Sequence, residues 1–343
     1  MLIRSRAPLR LGFGGGGTDV ESYSNLYGGN VLNATIAMYA YCTIEPMNDG
    51  KIIFDASDLG VKIECLSSLH LELDGELDLL KGIYNRIVKD YVKKPLSFKM
   101  TTFSEAGKGS GLGGSSTMVV AILHALMRWL KIPLGEYEVA ELAFKIERQD
   151  VGLSGGKQDQ FASAFGGFNF MEFHKNNQTI VNPLRISGRI VNELQSSLLL
   201  YFTGVSRDSG AIINDQIKTV LDKKNEGLDS MHAMKKNCIQ MKEALLLNDL
   251  NRFSKIMNQS WKAKKGTSNL VTSNIIEEAY DTAMRNGAHA GKVNGAGGGG
   301  YMMFMVNPVR KKDVWLSLES LGGKVSVVNF SSSGATSWEC NNE

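Results

Sequence analysis

Apolar and polar positions along the chain change period several times, and each change marks an element. Leu2 to Phe13 is a strand-like run, short and broken by Pro8. Residues 30–65 alternate apolar with polar well enough for several strands, with a turn at Asn48-Asp49-Gly50. Leu77 to Val92 shifts to helical spacing, and Pro95 to Thr101 reads as a further strand. Met118 to Leu130 is an apolar run at helical spacing. Gly135 to Arg148 predicts a second amphipathic helix, with Val139, Leu142, Ala143 and Ile146 on one face. Phe161 to Phe173 returns to strand character around a break at Gly166-Gly167, and the polar stretch His174 to Asn182 closes a first domain. Beyond it the pattern predicts a strand at Leu198 to Phe202 and helices near 209–223, 230–247, 250–262 and 273–286. A strand at Tyr301 to Val306, a helix around 310–321 and a strand at Val325 to Phe330 complete the chain. The reading gives an N-terminal domain, 1–180, and a C-terminal one, 181–343.

Between the strand at 95–101 and the helix at 118–130 lies EAGKGSGLGGSST, residues 105–117. Glycines at 107, 109, 111, 113 and 114 precede the hydroxyls of Ser115, Ser116 and Thr117. Glycine lacks a Cβ, so its backbone reaches left-handed conformations and lets an anion approach the N–H groups. The helix behind offers unsatisfied N–H groups and the positive end of its dipole to the same place. One glycine and one serine would be an ordinary capped turn. Five glycines feeding three hydroxyls make a phosphate cradle.

Several other motifs fail on context. No Gly-Lys pair is followed by Ser or Thr, so there is no P-loop. Gly12, Gly14 and Gly17 satisfy the dinucleotide spacing, but residues 31–41 hold no acid for a ribose, which argues against an oxidoreductase. Gly152 to Gly156 fits the hydrolase serine pattern, yet the segment before it is a helix rather than a strand. The histidines at 70, 124, 174, 232 and 289 lack metal-ligand spacing, and Met231, Met234 and Met241 read as packing.

Composition adds limits. The 343 residues are 43% hydrophobic with a net charge of +3 and no run of five like charges, so neither nucleic acid nor a membrane surface is indicated. Cysteines 42, 65, 238 and 340 are scattered without a C-x-x-C, as expected of reduced thiols in a cytoplasmic protein. No apolar signal region opens the chain, and no run is long enough to span a membrane.

Gly111 to Ser116, GLGGSS, resembles the central motif of the GHMP kinases. Ala7-Pro8-Leu9-Arg10 with Gly15 to Asp19 is similar to the family's first motif, and Lys292 to Gly300 to its third. Gly107 and Lys108 stand where the family usually has prolines, and Gly114 where it has a serine. The resemblance implies an α+β, two-domain GHMP kinase fold: an N-terminal half like domain 2 of ribosomal protein S5, a C-terminal α/β-plait-like half, and an active site in the cleft between them. It implies ATP and Mg²⁺, with Gly109, Ser110, Gly111, Leu112, Gly113, Gly114, Ser115 and Ser116 around the nucleotide phosphates. Ser115 and Glu147 then hold the metal, Asp159 serves the acceptor hydroxyl and Arg10 the transferring phosphoryl group. Thr18, Asp19, Gly297 and Gly298 face the substrate. Taken without the resemblance, Glu147 is a solvated helix-end carboxylate, Asp159 a turn residue and Arg10 a surface charge.

Gly16 and Gly17 replace the acid and histidine that galactokinase-like members use, which disfavours galactose. The first motif and Tyr201 to Arg207 are similar to the branch of heptose 7-phosphate and L-fucose kinases. That branch implies phosphorylation of the anomeric hydroxyl of D-glycero-D-manno-heptose 7-phosphate, giving a 1,7-bisphosphate on the way to GDP-heptose and surface polysaccharide. Arg207 and Lys157 are the candidates for the distal phosphate, since a cation must hold that dianion. An L-fucokinase-like enzyme is the alternative. A non-catalytic sugar-phosphate-binding regulator would be expected to lose Asp159, Glu147 or the cradle. A homodimer is left open.

Overall fold

A computed structural model describes residues 1–206, 209–222 and 225–341. The chain runs β1 (Leu2–Gly14), α1 (Glu21–Tyr27), β2 (Gly29–Pro46), β3 (Lys51–Ala56), β4 (Val61–Leu66), α2 (Asp78–Ile87), β5 (Phe98–Ser104), α3 (Gly114–Leu130), α4 (Glu136–Lys145), α5 (Gln158–Phe165), β6 (Phe168–Phe173) and β7 (Thr179–Pro183). It continues with α6 (Gly188–Ser197), β8 (Leu198–Phe202), α7 (Ser209–Leu221), α8 (Asn225–Leu246), α9 (Leu250–Lys265), α10 (Asn274–Asn286), β9 (Ala288–Val293), β10 (Tyr301–Val306), α11 (Lys311–Glu319), β11 (Lys324–Val327) and β12 (Thr336–Cys340).

The larger sheet has the order β12-β1-β2-β5-β3-β4, with β6 and β7 joined to it through β2. β2 serves two neighbours on one edge: Gly29–Ala34 pair with β6, and Ala40–Pro46 pair with β5. β1 lies along its other edge and shifts register twice, between Pro8 and Arg10 and between Gly12 and Gly14. Pro8 therefore does not break the strand. It sits beside an irregularity, where a missing N–H is tolerated. Gly12 and Gly14 are paired strand residues, so the glycine loop begins only at Gly15.

The smaller sheet, β11-β8-β10-β9, is antiparallel, and its central strands β8 and β10 are buried on both faces. On β8, Leu198 and Leu200 enter one core while Leu199 and Tyr201 enter another, which is why the segment reads as a continuous apolar run. The first of these cores also takes Leu9, Leu11, Phe13 and Leu32 from the larger sheet. Each such buried side chain contributes about 1.5–3 kcal/mol, so one apolar layer ties the two sheets together. A separate core packs α2 to α5 on the larger sheet, around Val119, Ile122, Leu123 and Leu126 of α3.

Three expectations need correction. Phe161–Phe165 belong to α5, and Gly166-Gly167, both at positive φ, separate helix from strand rather than interrupting a strand. The polar stretch at 174–182 contains most of β7, whose Thr179 and Val181 are buried. The last predicted strand ends at Val327, and Phe330 makes only an isolated bridge to Ile36. Among the described residues no helix is long and apolar enough to cross a membrane. The four cysteines form no disulfide.

Candidate active site

The glycine loop joins β5 to α3 and ends on Gly113, which occupies the N-cap of α3 at φ 82°. A Cβ there would lie 3.1 Å from the carboxylate carbon of Asp159, so absence of a side chain is what lets loop and acid meet. Gly111 has the same need toward the third motif: its Cβ would stand 2.7 Å from the Asn294 carbonyl oxygen. Tyr301 N donates to Ser110 O at 2.8 Å and Ser206 Oγ to Lys108 O at 2.9 Å, so the smaller sheet and its loops brace the cradle.

Glu147 reaches the helix N-terminus because α4 does not end cleanly. Its apolar face continues to Ile146, and a π-helical turn, Ile146–Asp150, closes with Val151 N donating to Ile146 O at 3.0 Å. Such wide turns recur at functional sites. Glu147 is 1% exposed, not solvated. Ser115 Oγ donates to its Oε1 at 3.0 Å, and Gln160 Nε2 donates to its Oε2. Gln160 also donates to Ser116 Oγ at 3.0 Å.

Arg10, on β1, is 3% exposed and therefore no surface charge. Its Nε donates to Asp159 Oδ1 at 2.7 Å and its Nη1 to Gly111 O at 2.5 Å, tying strand, acid and glycine loop together. Asp159 stands in the first turn of α5 and stays 22% exposed, open to a ligand.

Asp19 and Thr18 organise the first loop. Asp19 Oδ1 accepts from Gly17 N at 2.9 Å, and its Oδ2 accepts from Gln158 N at 3.0 Å at the start of α5. The Thr18 hydroxyl donates to Gly15 O at 2.8 Å, and Thr18 is wholly buried. Lys157 turns away: its Nζ donates to Asn177 Oδ1, pairs with Glu21 at 3.2 Å and lies over the Phe144 ring. Gly298 N donates to Val271 O at 2.7 Å, and a Cβ on Gly297 would press on the same carbonyl, so both glycines are held against the segment before α10. Arg207 lies outside the described residues.

The sequence reading missed two lysines. Lys264, 4% exposed, donates to Gly295 O; Lys292, 6% exposed, donates to Gly12 O at 2.5 Å. Burial, helped by the Arg10 guanidinium, holds Lys264 down to about 8 against the pull of Asp19 and Asp159. Burial, then Lys264 and Arg10, push Lys292 well below the ordinary lysine range. A signal for Lys264 existed: with Phe253, Ile256, Met257, Ser260 and Trp261 it completes the buried stripe of α9.

Anion-binding backbone, two hard oxygens beside it, and an arginine-held carboxylate packed against that backbone at Gly113 are the parts that phosphoryl transfer requires. The chain belongs to the GHMP kinases, a family of ATP-dependent phosphotransferases: residues 78–167 match the GHMP kinases N terminal domain, and residues 241–324 match the GHMP kinases C terminal domain. It is 48% identical over 336 residues to the D-glycero-alpha-D-manno-heptose 7-phosphate kinase of Campylobacter jejuni, covering 98% of each chain. A solved D-glycero-D-manno-heptose 1-phosphate kinase from Bacteroides thetaiotaomicron is 47% identical, with a TM-score of 0.85 and coverage of 99% of this chain and 100% of the other. Lactococcus lactis galactokinase in complex with galactose, 18% identical at a TM-score of 0.80 over 98% of this chain and 95% of that one, shares the fold.

Proposed function

We propose that the chain transfers the γ-phosphoryl group of ATP to the anomeric hydroxyl of D-glycero-D-manno-heptose 7-phosphate, giving the 1,7-bisphosphate. The observation that carries the chemistry is the contact of Asp159 with both Arg10 and the Gly113 position, which sets an acceptor-side carboxylate against the phosphate loop. The choice of sugar rests on the name of the relative at 48% identity.

In this reading the N–H groups opening α3 cradle the nucleotide phosphates, and Asp159 orients the acceptor hydroxyl and takes its proton. Arg10 fixes the carboxylate and presents positive charge to the group in transit. Mg²⁺ suits the donors present: the Ser115 hydroxyl and the Glu147 carboxylate, 3.0 Å apart, are hard oxygens, and this ion takes one or two carboxylates with substrate phosphates and water. When bound, it neutralises charge on the phosphate oxygens. Gln160, donating to Glu147 and Ser116, holds that pair in place. Residues 1–180 and 181–343 are the proposed domains flanking the cleft, with β7 extending the first to Pro183 and β12 returning to it from the second. Four cysteines without a disulfide suit a reducing cytoplasm.

A panel of ADP-release assays tests the substrate. Heptose 7-phosphate should give the highest kcat/KM among heptose 7-phosphate, free heptose, L-fucose, galactose and mevalonate. Equal or better turnover of L-fucose would replace the heptose reading with a fucokinase.

A further inference from the structure

Beside the reacting groups lies a small pocket that the phosphate loop does not enter. It is lined by Gly12, Gly14, Gly16, Gln158, Lys264 and Lys292, among others from the first and third motifs and from α8 and α9. Among the described residues none of 107–116 lines it. We propose that Lys264 and Lys292 bind the phosphate that the sugar already carries. This rests on the reading of the substrate as a sugar phosphate.

Each ammonium has three donors and gives one to a backbone carbonyl, Gly295 O for Lys264 and Gly12 O for Lys292. The rest remain for a ligand. Next to Gly295 of the pocket wall, Asn294 is fully buried: its Oδ1 accepts from Gly12 N at 3.3 Å, and its Nδ2 has no partner among the described residues. Buried donors without acceptors are costly, and a polar ligand removes the cost.

The charge balance points the same way. Among the described residues, the charged groups acting on Lys264 are Arg10, Asp19 and Asp159, and Asp159 is already bound to Arg10. Among the described residues, those acting on Lys292 are Lys264 and Arg10, both cations. Two buried ammoniums that repel one another form a site for a dianion, because a ligand of charge −2 restores both. Lys157, the other buried lysine of this region, is taken by Glu21 and Asn177. Gly12, Gly14, Gly15 and Gly16 form one wall of the pocket, and its cavity of about 10 Å³ is that of roughly one water, so a phosphate enters only as the Lys264 and Lys292 side chains move apart.

The test compares kinetics of the parent with Lys264→Met and Lys292→Met on heptose 7-phosphate, free heptose and ATP. Each variant should raise KM for heptose 7-phosphate by about 10- to 100-fold, the range for a lost charge-assisted hydrogen bond. KM for ATP should move less than threefold, and the parent's preference for phosphorylated over free sugar should fall by a similar 10-fold or more. Lys264→Arg should restore part of the preference. A parent that prefers the phosphorylated sugar, with variants that prefer it as strongly, overturns the assignment of these lysines and leaves the substrate reading standing. A parent indifferent to the phosphate overturns the substrate reading, and this inference with it. Should the variants not fold, calorimetry of the parent at pH 8.5 in buffers of different ionisation enthalpy gives the answer. Binding of heptose 7-phosphate without ATP should take up about one proton as the lysines recharge. Binding with no uptake overturns the proposal.

Discussion

Arg10 Nε and Asp159 Oδ1 stand 2.7 Å apart across 149 residues of sequence, and the same guanidinium holds the Gly111 carbonyl. One side chain thus fixes both the carboxylate and the loop it must face. Asp159→Asn keeps an oxygen for Arg10 but loses the charge and the basicity. We expect kcat to fall about 10²- to 10⁴-fold, the usual range for a positioned general base, with ATP affinity within threefold of the parent. Stopped-flow nucleotide binding beside steady-state rates separates the two. Parent-like turnover would remove Asp159 from the chemistry.

Gly113→Val places a branched side chain at φ 82° and against the Asp159 carboxylate. Both faults act at the phosphate loop, so nucleotide binding and turnover should fail together while the fold persists. Unchanged ATP affinity in this variant would make the loop a structural turn.

Ser115→Ala removes the hydroxyl that meets Glu147 at 3.0 Å. The Mg²⁺ concentration for half-maximal rate should rise several-fold, with a smaller effect on the sugar's KM. Glu147→Gln should act in the same direction. Metal titrations that superimpose on the parent's would place the cation elsewhere.

Lys264 supplies a stability test. Its folded value of about 8 lies below the ordinary 10.5, so between these limits the unfolded chain binds more protons than the folded one. Stability then rises with pH across that window, and this gain is lost as pH falls through 8. Lys264→Met should abolish the contribution. The difference in denaturation midpoint, parent minus variant, should therefore increase from pH 7.5 to pH 10.5. A flat difference would mean that Lys264 titrates alike in the folded and unfolded chain.

The glycine-rich loops, α3 and the helix bearing Glu147 were legible because local chemistry decides them. Five glycines before three hydroxyls have few other uses, and the face of Val139, Leu142, Ala143 and Ile146 fixes α4. Elements set by distant partners were not legible. β12 exists because Leu2–Arg6 offer it an edge, and its own sequence, TSWEC, alternates weakly. Phe161–Phe165 has strand-like composition, but its buried positions pack as a helix against α3 and α4. The partners of Lys157 were not legible for the same kind of reason: nothing local tells that Glu21 and Asn177 lie against it. Lys264 reads as one of three lysines ending a helix, and only its phase on the α9 stripe marks it as buried.

The most direct measurement is the position of the new phosphate. The protein is incubated with ATP, Mg²⁺ and D-glycero-D-manno-heptose 7-phosphate, and the product is read by two-dimensional ¹H–³¹P correlation. The account predicts stoichiometric ADP and a second phosphorus coupled to the anomeric proton, with the original 7-phosphate intact. A new phosphorus coupled to any other sugar proton, or ADP formed only with inorganic phosphate, would contradict it.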